Sequence, residues 1–378
     1  MYINSVKIDG FKNLSSIDIS LDEKLNVFFG KNAQGKTNLI EAIWICSGVR
    51  SFRGTKDKDF ININGEKFSI DIEFTDKLRK QRISFSSVRS NLKDKAITLN
   101  GVKLKTPSKL FGNLNCVVFT PEDLELSKGS PDNRRSFLDL SVAQIKNSYN
   151  DVVEKYENVL LQRNAQLKLI SMGKSDVSML DVWNIQLAKL GSYISLLRYN
   201  YVKKLGFFTQ NLYSRISGGK EKLDLIYSSS VFDKLENRTD YQGEMFNEYL
   251  KLLMANIDSD IRSGFTQVGV HRDDLISMIN GMNAREFASQ GQHRSIALIL
   301  KLAQAYILAE EREDAPVILL DDILSELDKS RQNFVLSQIN GMQVFITCCD
   351  RSVTFDFDDK KIPKGNLFFV NEGKIIKR

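Results

Sequence analysis

Along the first third of the chain, apolar and polar residues alternate in short runs: VKIDGFKNL, LNVFFG, FSIDIEF, RISFSSV and AITLNGVKLK. Their partial period of two predicts strands, and Asn100-Gly101 inside the last run predicts a hairpin turn. From about Arg134 the period lengthens. Leu138, Val142, Ile145, Tyr149, Val152, Tyr156 and Val159 recur at threes and fours, as do Trp183, Leu187, Leu190, Ile194, Leu197, Tyr201, Leu205, Phe208 and Leu212. This spacing predicts two amphipathic helices of about 35 residues, each about 50 Å long. Met172-Gly173-Lys174-Ser175 supplies the break between them, and their apolar stripes must be buried against each other or a neighbour, as in an antiparallel helical lobe.

Ser217-Gly218-Gly219-Lys220 closes that pair. A strand-like run, LDLIYSS, follows, and a helical stretch spans about Glu244 to Ile257. Strand character returns in FTQVGVHRDDLISMING, with a turn at Asn280-Gly281, and then in PVILLDD, MQVFITCC and LFFVNEGKII; a helix follows SQGQ. The expected fold class is α/β: one domain made from both chain ends, residues 1–126 and 263–378, with a mainly helical lobe, 127–262, inserted. No fixed-period repeat is visible.

Composition narrows the function classes. The chain has 378 residues, 42% hydrophobic and 26% charged, enough to bury a full core. No apolar run is long enough to span a membrane, and MYINSVKIDG does not read as a signal peptide, which points to the cytoplasm and to no membrane partner. Cys46, Cys116, Cys348 and Cys349 lack C-x-x-C spacing, and His271 and His293 are isolated, so the thiols read as core or incidental. The net charge of +6 is unevenly spread. Between Lys77 and Lys109, ten Lys or Arg face the single acid Asp94, a balance of +9 that leaves the rest of the chain net acidic.

The sharpest chemical signal is Gly30-Lys31-Asn32-Ala33-Gln34-Gly35-Lys36-Thr37, which fits G-x-x-x-x-G-K-[ST] and is followed by Asn38. It lies between an apolar strand and a predicted helix, the context of a phosphate-binding loop. Glycines there let successive N–H groups face a β-phosphate, and the helix N-terminus adds partial positive charge. Lys36 is expected to reach the β- and γ-phosphates of ATP, and Thr37 to ligate Mg²⁺. Such a loop needs a carboxylate for its metal. PVILLDD places Asp321 and Asp322 at the C-terminal end of a buried strand; Asp321 is the expected Mg²⁺ ligand and Asp322 the group that orients attacking water, catalytic together with Lys36.

A second donor-rich helix mouth stands at ASQGQHRS, residues 288–295. Ser289, Gly291 and Gln292 read either as another anion site or as an ordinary capped core helix with Ser289 as cap.

Several of these stretches together resemble a known family. SQGQ resembles the S-G-G-Q signature of ABC-type ATPases, and ILLDD with Ser325-Glu326-Leu327-Asp328 resembles their second carboxylate motif and D-loop. PEDLELSKGSPDNRRSFLD, GVHRDDL, FASQGQHR and ILLDDILSELD in that order resemble the RecF family, with its ABC-type head and a shortened SMC-like arm. The likeness runs from GFKNL near residue 10 to residue 328.

The resemblance implies ATP sandwiched between two chains, the phosphate loop of one facing the SQGQ of the other, with Asp328 also at the nucleotide. It implies an ATP-dependent homodimer on double-stranded DNA and gap borders. Slow, DNA-stimulated hydrolysis of ATP to ADP and phosphate would reset that dimer. RecR and RecO are the implied partners in helping RecA displace single-strand binding protein. Candidate DNA contacts are Arg50, Arg53, Lys56, Arg79, Lys80 and Arg82, by sequence-independent phosphate pairing; the alternative is a solvated strand face. Arg134 and Arg135 read as lobe or interface residues first.

Departures from the wider ABC pattern matter. Asp322 replaces the usual Glu, Thr120 stands where a Gln is usual, and Thr347 where a switch His is usual. An Asp reaches one C–C bond less far, which implies slow turnover. The rival readings are a transporter's nucleotide-binding subunit, against which the missing Gln and His and the helical lobe argue, and an SMC-like structural ATPase, whose arms would be far longer.

Overall fold

The structure, a computed structural model, describes residues 1–349 and 365–378, with Asp57, Lys93 and Asp94 described by their backbone alone. Two compact units form: Met1–Asp123 with Ala297–Arg378, and Leu124–Ile296. The division lies at 123/124 and 296/297 rather than at the expected 126/127 and 262/263. Its second boundary shifts because strand Asp274–Ile279 pairs along its whole length with Leu223–Ser228, which holds residues after 262 within the lobe.

The first unit contains two six-stranded sheets. In the mixed sheet the order is Lys374–Lys377, Asn366–Asn371, Leu25–Phe29, Val344–Cys348, Val317–Asp321, Cys116–Phe119. All neighbours are parallel except the outer pair, Asn366–Asn371 with Lys374–Lys377. VILLD, VFITC and CVVF are buried at every position, as parallel strands covered on both faces require. The antiparallel sheet runs Leu14–Ser20, Tyr2–Phe11, Lys67–Thr75, Lys80–Val88, Asn91–Leu99, Val102–Lys103. Here burial alternates: Phe68, Ile70, Ile72 and Phe74 point inward and meet Phe85 and Ile83 across the strands. Asn100 and Gly101, both at positive φ (53° and 82°), make the expected tight turn.

In the second unit, helix Asp181–Ile216 has the predicted length. The helix before it does not. Apolar periodicity from Leu138 to Val159 spans two helices, Pro131–Ile145 and Tyr149–Ser171, separated where Lys146 is extended (φ −120°, ψ 94°). The three-residue turn keeps Ile145 and Tyr149 four apart, so spacing alone does not reveal the break. GVHRD, residues 269–273 and expected as strand, is loop; in FTQVGVHRDDLISMING only Asp274–Ile279 is extended.

This loop is a polar core of the lobe. Asp273 accepts from Ser230 N (2.7 Å) and pairs with Tyr227, while Arg198, paired with Asp139 (2.7 Å), donates to Val270 O (2.7 Å). Arg163 and Asp260, both fully buried, pair at 2.7 Å. His271 Nε2 donates to Thr266 O (3.0 Å), and its Nδ1 accepts from Tyr156 Oη (2.9 Å). The buried Arg163 and Arg198 are each paired with a carboxylate, as the cost of burying a charge alone requires, although Arg163 Nη2 is left without a hydrogen-bond partner among the described residues. No helix among the described residues is long and apolar enough to cross a membrane.

Candidate nucleotide-binding site

The phosphate loop leaves strand Leu25–Phe29 and enters helix Lys36–Ile45. Gly35, the residue before that helix, has φ 116°, and a Cβ there would stand 2.7 Å from Leu14 and 2.9 Å from Asn13 Oδ1. At Gly30 a Cβ would lie 2.2 Å from the carbonyl oxygen of Val370, so both glycines are demanded by space as well as conformation.

Distant segments hold the loop. Asn13 Nδ2 donates to Ala33 O (3.1 Å) and Asn38 Nδ2 to Asn13 Oδ1 (2.7 Å). The turn between the last two strands donates Glu372 N to Gln34 Oε1 (2.6 Å) and Gly373 N to Gln34 O (3.0 Å). Lys36 is buried with its ammonium donating to the carbonyls of Gly30 (2.6 Å) and Lys31 (2.9 Å), inside the curve of the loop. Lys31, Asn32 and Ala33 form its exposed rim.

The structure brings the carboxylate motif to this loop. Thr37 Oγ1 donates to Asp321 Oδ1 (3.1 Å), and Thr347 Oγ1, on the neighbouring strand in register, donates to the same oxygen (2.8 Å). Asp321 is 5% exposed, and burial pushes its carboxyl above the usual range against the pull of those two hydroxyls. A buried carboxylate beside a threonine hydroxyl is the hard-oxygen donor set that suits Mg²⁺, so Thr37 and Asp321 fit that ion.

Asp322 turns into the left-handed region (φ 52°), a conformation Asp tolerates better than most residues. Its N–H donates to Thr347 Oγ1 (2.9 Å) and its carbonyl accepts from Ser325 Oγ (2.6 Å). Thr347, which the sequence marks only as standing where a switch His is usual, thus joins both aspartates.

Cys349 is the exposed thiol of the four. Its Sγ donates to Asn32 Oδ1 (2.7 Å) and lies 3.7 Å from Asp322 Oδ2, so it belongs to the site rather than to the core. Cys46, Cys116 and Cys348 are buried as expected. Asp328 caps helix Lys329–Gln338 through Arg331 N (3.0 Å) and pairs with the Arg331 side chain.

Within the lobe unit, ASQGQ forms a reciprocal cap. Ser289 Oγ accepts from Gln292 N (3.3 Å), and Gln292 Oε1 accepts from Ser289 N (2.7 Å). Gly291 lies in the first turn of helix Gln290–Arg312. The capped-helix geometry is therefore present, and Ser289 Oγ, an acceptor in it, keeps its own proton for donation. His293 Nδ1 bonds Ser127 Oγ at 2.7 Å.

The basic segment is less basic in three dimensions than in one. On the solvent face of the antiparallel sheet Arg82 pairs with Asp71 (2.8 Å), Glu73 stands opposite Arg82, and Lys7 pairs with Asp18 (2.9 Å). Lys77 pairs with Glu313 (2.9 Å). Arg79 and Lys80 are exposed at the strand end. Arg50, Arg53 and Lys56 are exposed in the loop after the first helix, where Arg53 Nη1 reaches Asn38 Oδ1 (3.4 Å). Fully buried Glu41 anchors this loop by pairing with Lys12 and accepting from Ser51, neither of which the sequence singles out. Arg134 is a lobe residue, buried against Asp274 (2.7 Å), and Arg135 donates to Asp273 O (2.6 Å).

Known proteins resemble this chain along nearly its whole length. The family described as RecF/RecN/SMC N terminal domain matches residues 2–362. The DNA replication and repair protein RecF of Clostridium kluyveri is 39% identical over 377 residues, 99% of each chain, and that of Acetivibrio thermocellus 37% identical over 356 residues, covering 93% of this chain and 94% of its own. A solved structure of the recombination mediator protein RecF-ATPrS in the RecFOR pathway superposes with a TM-score of 0.91 at 33% identity, over 100% of this chain and 98% of that one. An Smc head domain from Pyrococcus furiosus matches at a TM-score of 0.55 and 15% identity, which shows a shared fold. With whole-length relatives, a family match over nearly the whole chain and an ABC-type head in common, this chain belongs to the RecF family of ABC/SMC-like ATPases.

Proposed function

We propose that this chain is an ATP-gated DNA-binding protein whose two half-sites are completed by a second copy of itself. The reading rests on one observation above all. The phosphate loop and ILLDD, 284 residues apart, meet through the Thr37–Asp321 hydrogen bond; the SQGQ helix mouth, capped by Ser289, is the element that would face a second copy's γ-phosphate. The relatives are named as DNA replication and repair proteins, and solved structures carry RecF with ATP and with ATPrS in the RecFOR pathway.

In this reading the loop amides and Lys36 bind the β- and γ-phosphates. Thr37 and Asp321 hold Mg²⁺, which when bound neutralises phosphate charge. Asp322 orients the attacking water, and Asn38, Asp328 and the partner copy's signature turn complete the nucleotide contacts. ATP closes the homodimer on duplex DNA and at single-strand/double-strand gap borders; hydrolysis, slow because Asp322 is short, opens it. Acting in the cytoplasm with RecO and RecR, it helps RecA load onto single strands coated by single-strand binding protein. Among DNA contacts, Arg50, Arg53 and Lys56 rank ahead of Arg79 and Lys80, and Arg82 last because Asp71 already neutralises it.

The test is a pair of variants. Ser289→Arg is expected to bind ATP like the parent, since Lys36 is untouched, yet to form no ATP-dependent dimer by light scattering. Lys36→Ala is expected to lose both ATP binding and ATP-dependent retention on DNA. Dimers of Ser289→Arg with ATP refute the in-trans assignment.

A further inference from the structure

We propose that Glu221 is a positioning residue for the signature turn, tying that turn to the end of the long arm helix; this rests on the in-trans reading above. The Glu221 carboxylate is shared between two donors. Gln292 Nε2 donates to Oε1 (2.8 Å), and Tyr213 Oη donates to Oε2 (2.9 Å). Gln292 is the residue whose Oε1 takes the Ser289 N–H and whose own N–H is capped by Ser289 Oγ. A chain of hydrogen bonds therefore runs Tyr213, Glu221, Gln292, Ser289, all inside the lobe unit.

The backbone of Glu221 is held on both sides. Before it, helix Asp181–Ile216 ends with Gly219 N donating to Ser214 O (2.7 Å), and Gly218 and Gly219 both at positive φ (66° and 75°). After it, Lys222 exchanges two bonds with Asn280, its N–H to Asn280 Oδ1 (2.8 Å) and its carbonyl from Asn280 N (2.9 Å), at the start of strand Leu223–Ser228. Tyr213 is 1% exposed in the last turns of the arm helix. The carboxylate thus starts from a rigid point and ends on the amide that orients the signature serine.

The chemistry favours an acid at this position. Gln292 presents a fixed amide, its oxygen committed to Ser289 N and its nitrogen needing an acceptor; a carboxylate accepts from that nitrogen and from a phenol at once, and charge makes both bonds stronger than neutral ones. Without Glu221 the Gln292 amide loses its outer anchor, and Ser289 Oγ is free to leave the orientation the cap imposes. A displacement of the arm helix end would reach the signature by the same route.

Three variants test this with ATP-dependent dimerisation measured by light scattering against ATP binding to the monomer. Glu221→Ala is expected to weaken dimerisation roughly tenfold or more, the range of a lost charge-assisted bond, with ATP affinity unchanged. Glu221→Gln, which keeps one acceptor, is expected to fall between Ala and parent. Tyr213→Phe, which removes one hydroxyl and little packing, is expected to shift dimerisation in the same direction by less. If Ser289→Arg abolishes dimers while Glu221→Ala and Tyr213→Phe stay within twofold of parent, the positioning role is overturned. Persistent dimers in Ser289→Arg instead refute the in-trans reading, and the two failures are thereby distinguishable.

Discussion

Replacing Thr347 with Val isolates the bond pair that organises the two aspartates. The side chain is 1% exposed, and Val matches its shape while deleting the hydroxyl. Two hydrogen bonds go with it: the donation to Asp321 Oδ1 (2.8 Å) and the acceptance from Asp322 N (2.9 Å). A bond to a charged group contributes about 1.5–3 kcal/mol and an orphaned buried N–H costs about 1–3 kcal/mol, with Thr37 still serving Asp321; a net loss of about 2–4 kcal/mol follows. For a unit of this size a kcal/mol moves Tm by about 2–4 °C, so the first melting transition should fall by roughly 5–15 °C. Thr347→Ser, which keeps the hydroxyl and loses a methyl, should cost about 1 kcal/mol. Differential scanning calorimetry compares the three proteins. Turnover should fall in Thr347→Val as well, because the left-handed turn that aims Asp322 loses its anchor. A Thr347→Val protein that melts with or above Thr347→Ser would refute the reasoning.

Two further outcomes follow from groups around the sites. Cys349 lies against Asn32 of the phosphate loop and is the exposed thiol among four, so iodoacetamide should label it first and Mg-ATP should slow that labelling several-fold; equal rates with and without nucleotide place the thiol outside the site. Burial pushes the His271 imidazole down to about 4, below the ordinary value near 6.5 of an unfolded chain. As pH falls below about 6.5 the unfolded chain takes up the proton first, so stability is full above that pH and declines toward about pH 4, by up to about 3 kcal/mol. Calorimetric melts between pH 7.5 and 4.5 should show this slope and His271→Gln should flatten it; an unchanged slope assigns the acid sensitivity to other groups.

What the sequence disclosed depended on how local each signal was. The phosphate loop is eight consecutive residues with a strand before and a helix after, and PVILLDD is a buried strand ending in acids; both were legible because their chemistry is written in adjacent positions. Their meeting follows from parallel pairing of strands hundreds of residues apart, which the motif logic anticipates and only the sheet order supplies. Features that depend on distant partners stayed hidden. Thr347 matters because it is in register with Asp321. Glu221 matters because a turn brings it to Gln292, and the Arg82 charge is spent on Asp71, a neighbour that appears only once the strands are paired. Lys146 interrupts a helix without disturbing its apolar period. GVHRD reads as strand because Val268 and Val270 alternate and the strand-like DLISMI follows, yet its backbone bends so that it meets Arg135, Tyr156, Arg198 and Tyr249 on four helices.

Strand Leu25–Phe29, from which the phosphate loop springs, has two neighbours in the sheet, Val344–Cys348 and Asn366–Asn371. During synthesis the loop therefore leaves the ribosome more than 300 residues ahead of the strands that flank it, and the turn that braces Gln34 comes later still, at Glu372 and Gly373. The loop is therefore framed only by strands that follow it at long sequence separation. A chain cut before Asn366 would keep the nucleotide motif but lose one flanking strand and the turn that braces Gln34, so such a fragment is expected to bind ATP more weakly than the whole chain.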